Sequence, residues 1–145
     1  MKKRENVYLY MGIFILMSVI MVFICRILHV APFGPNTFAT KDGDIQYLDF
    51  YAYLKDVLSG NQSISYTFGK TLGGNNIAVF GYYLSSPLNW IVIFFEKSQL
   101  EIFYTVIVSL KLSLAAVTCA IFLKNRYPLL QDNIIIVFIN KNFAR

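Results

Sequence analysis

Val7-Tyr8-Leu9-Tyr10-Met11-Gly12-Ile13-Phe14-Ile15-Leu16-Met17-Ser18-Val19-Ile20-Met21-Val22-Phe23-Ile24-Cys25 runs for 19 positions without a charge, behind the basic start Lys2-Lys3-Arg4. A helix needs about 20 apolar residues to cross the hydrocarbon core of a bilayer. The stretch therefore reads as a transmembrane helix over residues 7–29. A cleaved leader would carry an apolar region of roughly 7–15 residues and end on small side chains. Here the run is longer and closes Phe23-Ile24-Cys25-Arg26, so an uncleaved anchor is expected. Its flanking cations hold the N-terminus in the cytoplasm by the positive-inside rule.

A second apolar run covers residues 101–123 and meets Lys124-Asn125-Arg126. Those cations place its far end in the cytoplasm as well. One helix leads out, the other returns, and residues 31–100 form an extracytoplasmic loop. Within it, Pro87-Leu88-Asn89-Trp90-Ile91-Val92-Ile93-Phe94-Phe95 is strongly apolar and could belong to a third span starting near Asn76. Gly81, Ser85, Ser86, Pro87 and Asn89 interrupt it, and a full crossing would push Lys124 and Arg126 outside. A helix lying in or dipping into the interface is the better reading, since Tyr82, Tyr83 and Trp90 suit headgroup depth. At the C-terminus, residues 133–139 open another apolar run that gives way to Asn140-Lys141-Asn142. Seven residues rise only about 10 Å as a helix, so a third span truncated over residues 133–145 is expected.

Composition agrees with this architecture. The 145 residues are 57% hydrophobic and 14% charged, with a mean hydropathy of +0.54. A soluble domain is nearer 45–50% apolar and about 25% charged. The net charge of +5 is no nucleic-acid footprint, because the cations punctuate apolar runs and form no single basic patch. Cys25 and Cys119 both fall inside the spans and read as small hydrophobes. The fold class is thus an all-α integral membrane protein: two transmembrane helices joined by an extracytoplasmic loop with amphipathic interfacial helices.

The loop opens Lys41-Asp42-Gly43-Asp44-Ile45-Gln46-Tyr47. Tyr47, Phe50, Tyr51, Leu54, Val57 and Leu58 recur at helical spacing, with Gln46, Asp49 and Asp56 on other faces. Asp44 is a natural N-cap for that helix and Gly60 a natural stop. Asp42 stands too far ahead of it to cap, and reads either as a solvated loop carboxylate or as a general base at the membrane surface. The apolar side of the helix can face lipid. Lys111 lies near the middle of the second span, where a lysine costs about 2.5–3.5 kcal/mol on insertion scales and needs a polar surrounding. It is read as a buried structural cation or as a phosphate or substrate contact. Leu72-Gly73-Gly74-Asn75-Asn76 could bring backbone amides to an anion, although an ordinary turn accounts for it as well. Arg26 and His29 fit interfacial anchoring. Asn61-Gln62-Ser63 matches a glycosylation acceptor only by a three-residue pattern. His and Cys clusters with metal-ligand spacing are missing.

Taken in order, Asp42, Gln46 and Tyr47 (as Asp-x-x-x-Gln-Tyr), Asp49-Phe50-Tyr51-Ala52-Tyr53-Leu54, Leu72-Gly73-Gly74-Asn75, Tyr82-Tyr83-Leu84-Ser85-Ser86-Pro87-Leu88-Asn89 and Leu110-Lys111-Leu112 resemble the N-terminal part of the YfhO family of bacterial membrane proteins. That family is similar to the GT-C superfamily of multi-span glycosyltransferases. The resemblance implies a sugar moved from a polyprenyl-phosphate donor to a cell-envelope polymer such as teichoic acid, on the outer face of the bacterial cytoplasmic membrane. It puts the base on Asp42, with Asp44 as the alternative, and makes Gln46, Tyr47 and Lys111 supporting substrate-binding residues. A divalent metal is compatible with such chemistry but has no support from ligand spacing. The expected partners are the lipid bilayer, the lipid-linked donor and the polymer acceptor. Full family members carry more spans, so this chain is expected to be a fragment without activity of its own. The competing classes are a non-catalytic multi-span protein, such as a transporter or assembly subunit, and an inactive truncated gene product.

Overall fold

The computed structural model describes residues 2–69 and 73–127. In chain order the elements are helix α1 (Lys2–Ile27), a π-helical turn (Gly43–Tyr47), helix α2 (Leu48–Leu58), strands β1 (Tyr66–Thr67) and β2 (Gly74–Asn75), helix α3 (Ile77–Val79) continued by a second π-helical turn (Phe80–Leu84), a 3₁₀ stretch (Pro87–Phe94), a short 3₁₀ turn (Lys97–Gln99) and helix α4 (Leu100–Arg126). The expected third span at 133–145 lies outside the described residues. Two compact units divide the chain, one from residues up to 21 with those from 110 onward, the other from residues 22–109.

Two helices are long and apolar enough to cross a membrane, Asn6–Ile27 and Lys97–Arg126. The first has 22 residues, about 33 Å at a helical rise of 1.5 Å, against a hydrocarbon core of about 30 Å. The first span stops at Ile27, two residues short of the expected 29, because His29 takes a left-handed backbone (φ 50°) that no α-helix continues through. The second is longer than the sequence suggests, reaching Arg126.

In the first unit α1 and α4 meet through small polar side chains. Ser18 Oγ donates to Phe14 O at 2.9 Å and lies 3.1 Å from Ser113 Oγ, a fully buried residue. Small residues let membrane helices approach closely, and hydrogen bonds across them replace the hydrophobic drive that lipid cannot supply. Lys124 Nζ donates to Asn6 Oδ1 and sits 5.7 Å from the Tyr10 ring centroid. The start of α1 and the end of α4 therefore lie together, as an antiparallel pair requires. Outward, Val7, Tyr8, Leu16 and Val19 are each more than half exposed. An apolar surface of this extent is stable against lipid and not against water.

The second unit has its own core. Leu54, Leu84, Val92 and Phe103 are completely buried, with Tyr51 and Ile107 nearly so. The Tyr51 and Phe103 rings pack edge to face at 4.8 Å. The apolar side of α2 thus packs on protein, where the sequence reading turned it toward lipid. Periodicity fixes which face is apolar but not what covers it. The helix ends as expected: Gly60 adopts φ +77° and its N–H reaches Val57 O at 3.0 Å, a left-handed stop that glycine takes without steric cost. After α2 comes the antiparallel pair β1–β2, with Tyr66 opposite Asn75 and Thr67 opposite Gly74. Two-residue strands are too short to show an alternating pattern. The segments Ile77–Leu84 and Pro87–Phe94 form a pair bent by 94°, the geometry of a broken span or a re-entrant loop. Pro87 causes the break, since it cannot donate a backbone bond and restricts the residue before it; Ser86 is extended at ψ 126°.

Candidate functional site

Lys41 carries φ 53°. A non-glycine residue held there costs on the order of 1–3 kcal/mol and persists only when its surroundings enforce it. The enforcement is visible: Asp44 and Ile45 N–H both bond to Lys41 O, at 3.1 and 3.0 Å, while Gly43 N–H reaches Thr40 O at 2.9 Å. The kink launches the π-helical turn Gly43–Tyr47, a conformation rare in proteins and frequent at functional sites. Gly43 is buried, and a methyl group added there would meet the Tyr104 hydroxyl at 3.5 Å. The turn is therefore seated directly against α4.

Capping falls differently from the sequence expectation. Asp44 lies inside the turn, and Asp42 occupies the N-cap position in helical conformation with no side-chain cap hydrogen bond. A helical φ and ψ at that residue turns its carboxylate away from the amides an N-cap normally serves. Asp42, Asp44 and Gln46 are all exposed. Two carboxylates and an amide are thus displayed within five residues, none engaged in ending the helix.

Tyr47 joins this acidic turn to a cluster of aromatic rings. Its ring meets Tyr83 edge-on at 5.2 Å and Tyr104 at 6.3 Å, and Phe50 lies 5.1 Å from Tyr83. Tyr82 packs on Tyr83 at 4.6 Å. The Tyr47 phenol is pushed up from its ordinary value, first by desolvation and then by Tyr83, Tyr104, Tyr82 and the Asp42 carboxylate. Tyr51 is pushed up to about 12, again mainly by burial, with Tyr104 and Tyr47 adding to it. Both phenols are neutral over the physiological range, able to donate as well as accept.

Of the residues singled out in the sequence, Asp42, Asp44, Gln46 and Tyr47 share one turn. Lys111 belongs to the other unit, near the middle of α4. Arg26 closes the last turn of α1. In the Gly73-Gly74 pair, Gly73 has φ +77° and Gly74 starts β2. Cys25 is buried and Cys119 exposed, both as thiols. Sequence reasoning missed Tyr51, Tyr83 and Tyr104 as members of one ring cluster. The only signal was the abundance of tyrosine, because their proximity depends on α2, the bent pair and α4 coming together. Among the described residues no group of three or more His, Cys, Asp or Glu could hold a metal ion. Asp42 and Asp44 alone are an incomplete donor set for a divalent cation.

An α-helical membrane protein with an acidic, tyrosine-backed turn between its two spans is the class these features define. The chain belongs to the family described as bacterial membrane protein YfhO, whose model matches residues 13–139. Comparison with curated proteins and with solved structures returned no significant match.

Proposed function

We propose that the Asp42–Tyr47 turn serves a membrane glycosyltransferase that moves a sugar from a polyprenyl-phosphate donor to a hydroxyl of a cell-envelope polymer such as teichoic acid. The observation that carries this reading is the state of Asp42. It is exposed, follows a strained residue, makes no cap hydrogen bond, and lies close enough to Tyr47 to raise its phenol.

In the proposed step Asp42 takes the proton from the acceptor hydroxyl. The hydroxyl oxygen bonds to the anomeric carbon, the bond from that carbon to the donor phosphate breaks, and its electron pair leaves with the polyprenyl phosphate. Displacement by one nucleophile inverts the anomeric centre, as in the inverting carboxylate arrangement. Gln46 and the neutral Tyr47 phenol orient hydroxyls beside the base. Asp44 is the alternative base, two residues along the same turn.

Asp42→Asn keeps the shape and removes the base. In cells that depend on this protein, this variant is expected to reduce envelope glycosylation by ~10²–10⁴-fold, the usual worth of general base catalysis, with membrane abundance unchanged. Normal glycosylation in that variant would remove Asp42 from the chemistry, and retention in Asp44→Asn as well would favour a non-catalytic transporter or assembly role.

A further inference from the structure

The face of α2 turned away from Tyr51 and Leu54 carries a second set of chemical groups. Asp49, Tyr53 and Asp56 are spaced by four and three residues, so they stand one above another on one side of the helix. They open into a cleft of about 390 Å³ whose other walls include Phe50, Thr67 and Asn76. That volume lies within the roughly 300–1,000 Å³ of small-molecule sites.

The walls differ in what they have left to offer. Asp56 is neutralised by Lys97, whose Nζ donates to its Oδ2 at 2.7 Å. The Tyr53 hydroxyl donates to Ser63 O and also lies 3.2 Å from Tyr66 O; its ring is left as an apolar wall. Thr67 Oγ1 accepts from Gly69 N–H at 3.0 Å and keeps its own proton to donate. Asp49 is exposed and has no ion pair among the described residues. Asn76 is 4% exposed; its backbone N–H and C=O are bonded to Ser65 and Phe80, and among the described residues its side-chain amide has no hydrogen bond. Although the residue as a whole is nearly enclosed, its amide atoms are not buried without a partner, and Asn76 lines the cleft, where a ligand group can exchange for the water that solvates them.

We propose that this cleft binds a neutral, hydroxyl-rich ligand of about one sugar ring, a pyranose or a polyol unit. Aromatic rings cover the C–H face of such a ligand. The Asp49 carboxylate accepts from its hydroxyls, while the Asn76 amide and Thr67 hydroxyl donate to its oxygens. A phosphate would be repelled by the unpaired Asp49 carboxylate. A cation would find one unpaired carboxylate only, since Lys97 already satisfies the other. The site is separate from the Asp42 turn, and its test reads binding, so its failure is distinct from failure of the transferase reading.

The test is saturation-transfer NMR with the full chain in lipid nanodiscs, using glucose and glycerol as probes and tetramethylammonium and inorganic phosphate as controls. Glucose, glycerol or both should receive saturation from the protein. Asp49→Ala, at an exposed position, should weaken that binding by ~10-fold or more, the worth of a hydrogen bond to a charged group, and Asn76→Asp should also weaken it. Helical circular dichroism should match wild type in the variants compared. No transfer to either hydroxylated probe, equal transfer in Asp49→Ala, or transfer to tetramethylammonium or phosphate in preference to them would overturn the assignment.

Discussion

At the scale of single residues the structure separates side chains that stabilise from those held ready. Leu54 has no exposed surface, and truncating such a leucine removes both transfer energy and packing. Leu54→Ala is expected to cost about 2–5 kcal/mol, seen as lost hydrogen-exchange protection in α2; unchanged protection would mean that α2 is not held by this contact. Tyr51 gives a pH signature. Its phenol is held neutral up to about 12 against an ordinary value near 10. A raised acid favours its protonated form in the fold, so its stabilising effect is complete below pH ~10 and is lost as pH rises toward 12. In an ultraviolet tyrosinate titration Tyr51→Phe should remove the latest-ionising phenol and flatten stability between those pH values. That Asp42 and Asp44 stand together at the start of a helical segment was legible from the sequence. Which of them sits at the cap was not, because Lys41 adopts a left-handed backbone that no propensity of lysine foretells.

Among the elements, the two long helices were readable because apolar runs of about twenty residues, interrupted in the second by Lys111 alone, match the thickness of a bilayer and exceed an ordinary buried core helix. Their mode of contact was less so. Ser18 and Ser113 are 95 residues apart and touch at 3.1 Å, a pairing that neither helix announces alone. Ser113→Leu should therefore force the backbones apart and cost roughly 1–3 kcal/mol by overpacking. Ser18→Ala should cost nearer ~0.6 kcal/mol, the average of interhelical hydrogen bonds in membranes. Steric-trap unfolding in bilayers would rank the two, and equal small effects would contradict a tight serine contact. The period of α2 located its apolar stripe correctly, yet Phe103 covers that stripe where lipid was expected. Local periodicity cannot encode a contact between residues as far apart in the chain as Tyr51 and Phe103.

For the whole molecule, membership of the YfhO family and two spanning helices make the protein a bacterial membrane protein. The lysine at the end of α4 bonds to an asparagine near the start of α1, so both ends of this helix pair share one side of the bilayer. Membership of the YfhO family was legible in ordered motifs from Asp42 to Lys111, whereas the tyrosine cluster behind Asp42 emerged only once the chain had folded. The proposed chemistry requires the acidic turn to face the cell exterior. That is tested most directly by Asp42→Cys in a background with Cys25→Ala and Cys119→Ala, treated in intact cells with a membrane-impermeant maleimide. Labelling without permeabilisation is the predicted result; labelling that appears only after the membrane is opened would contradict it.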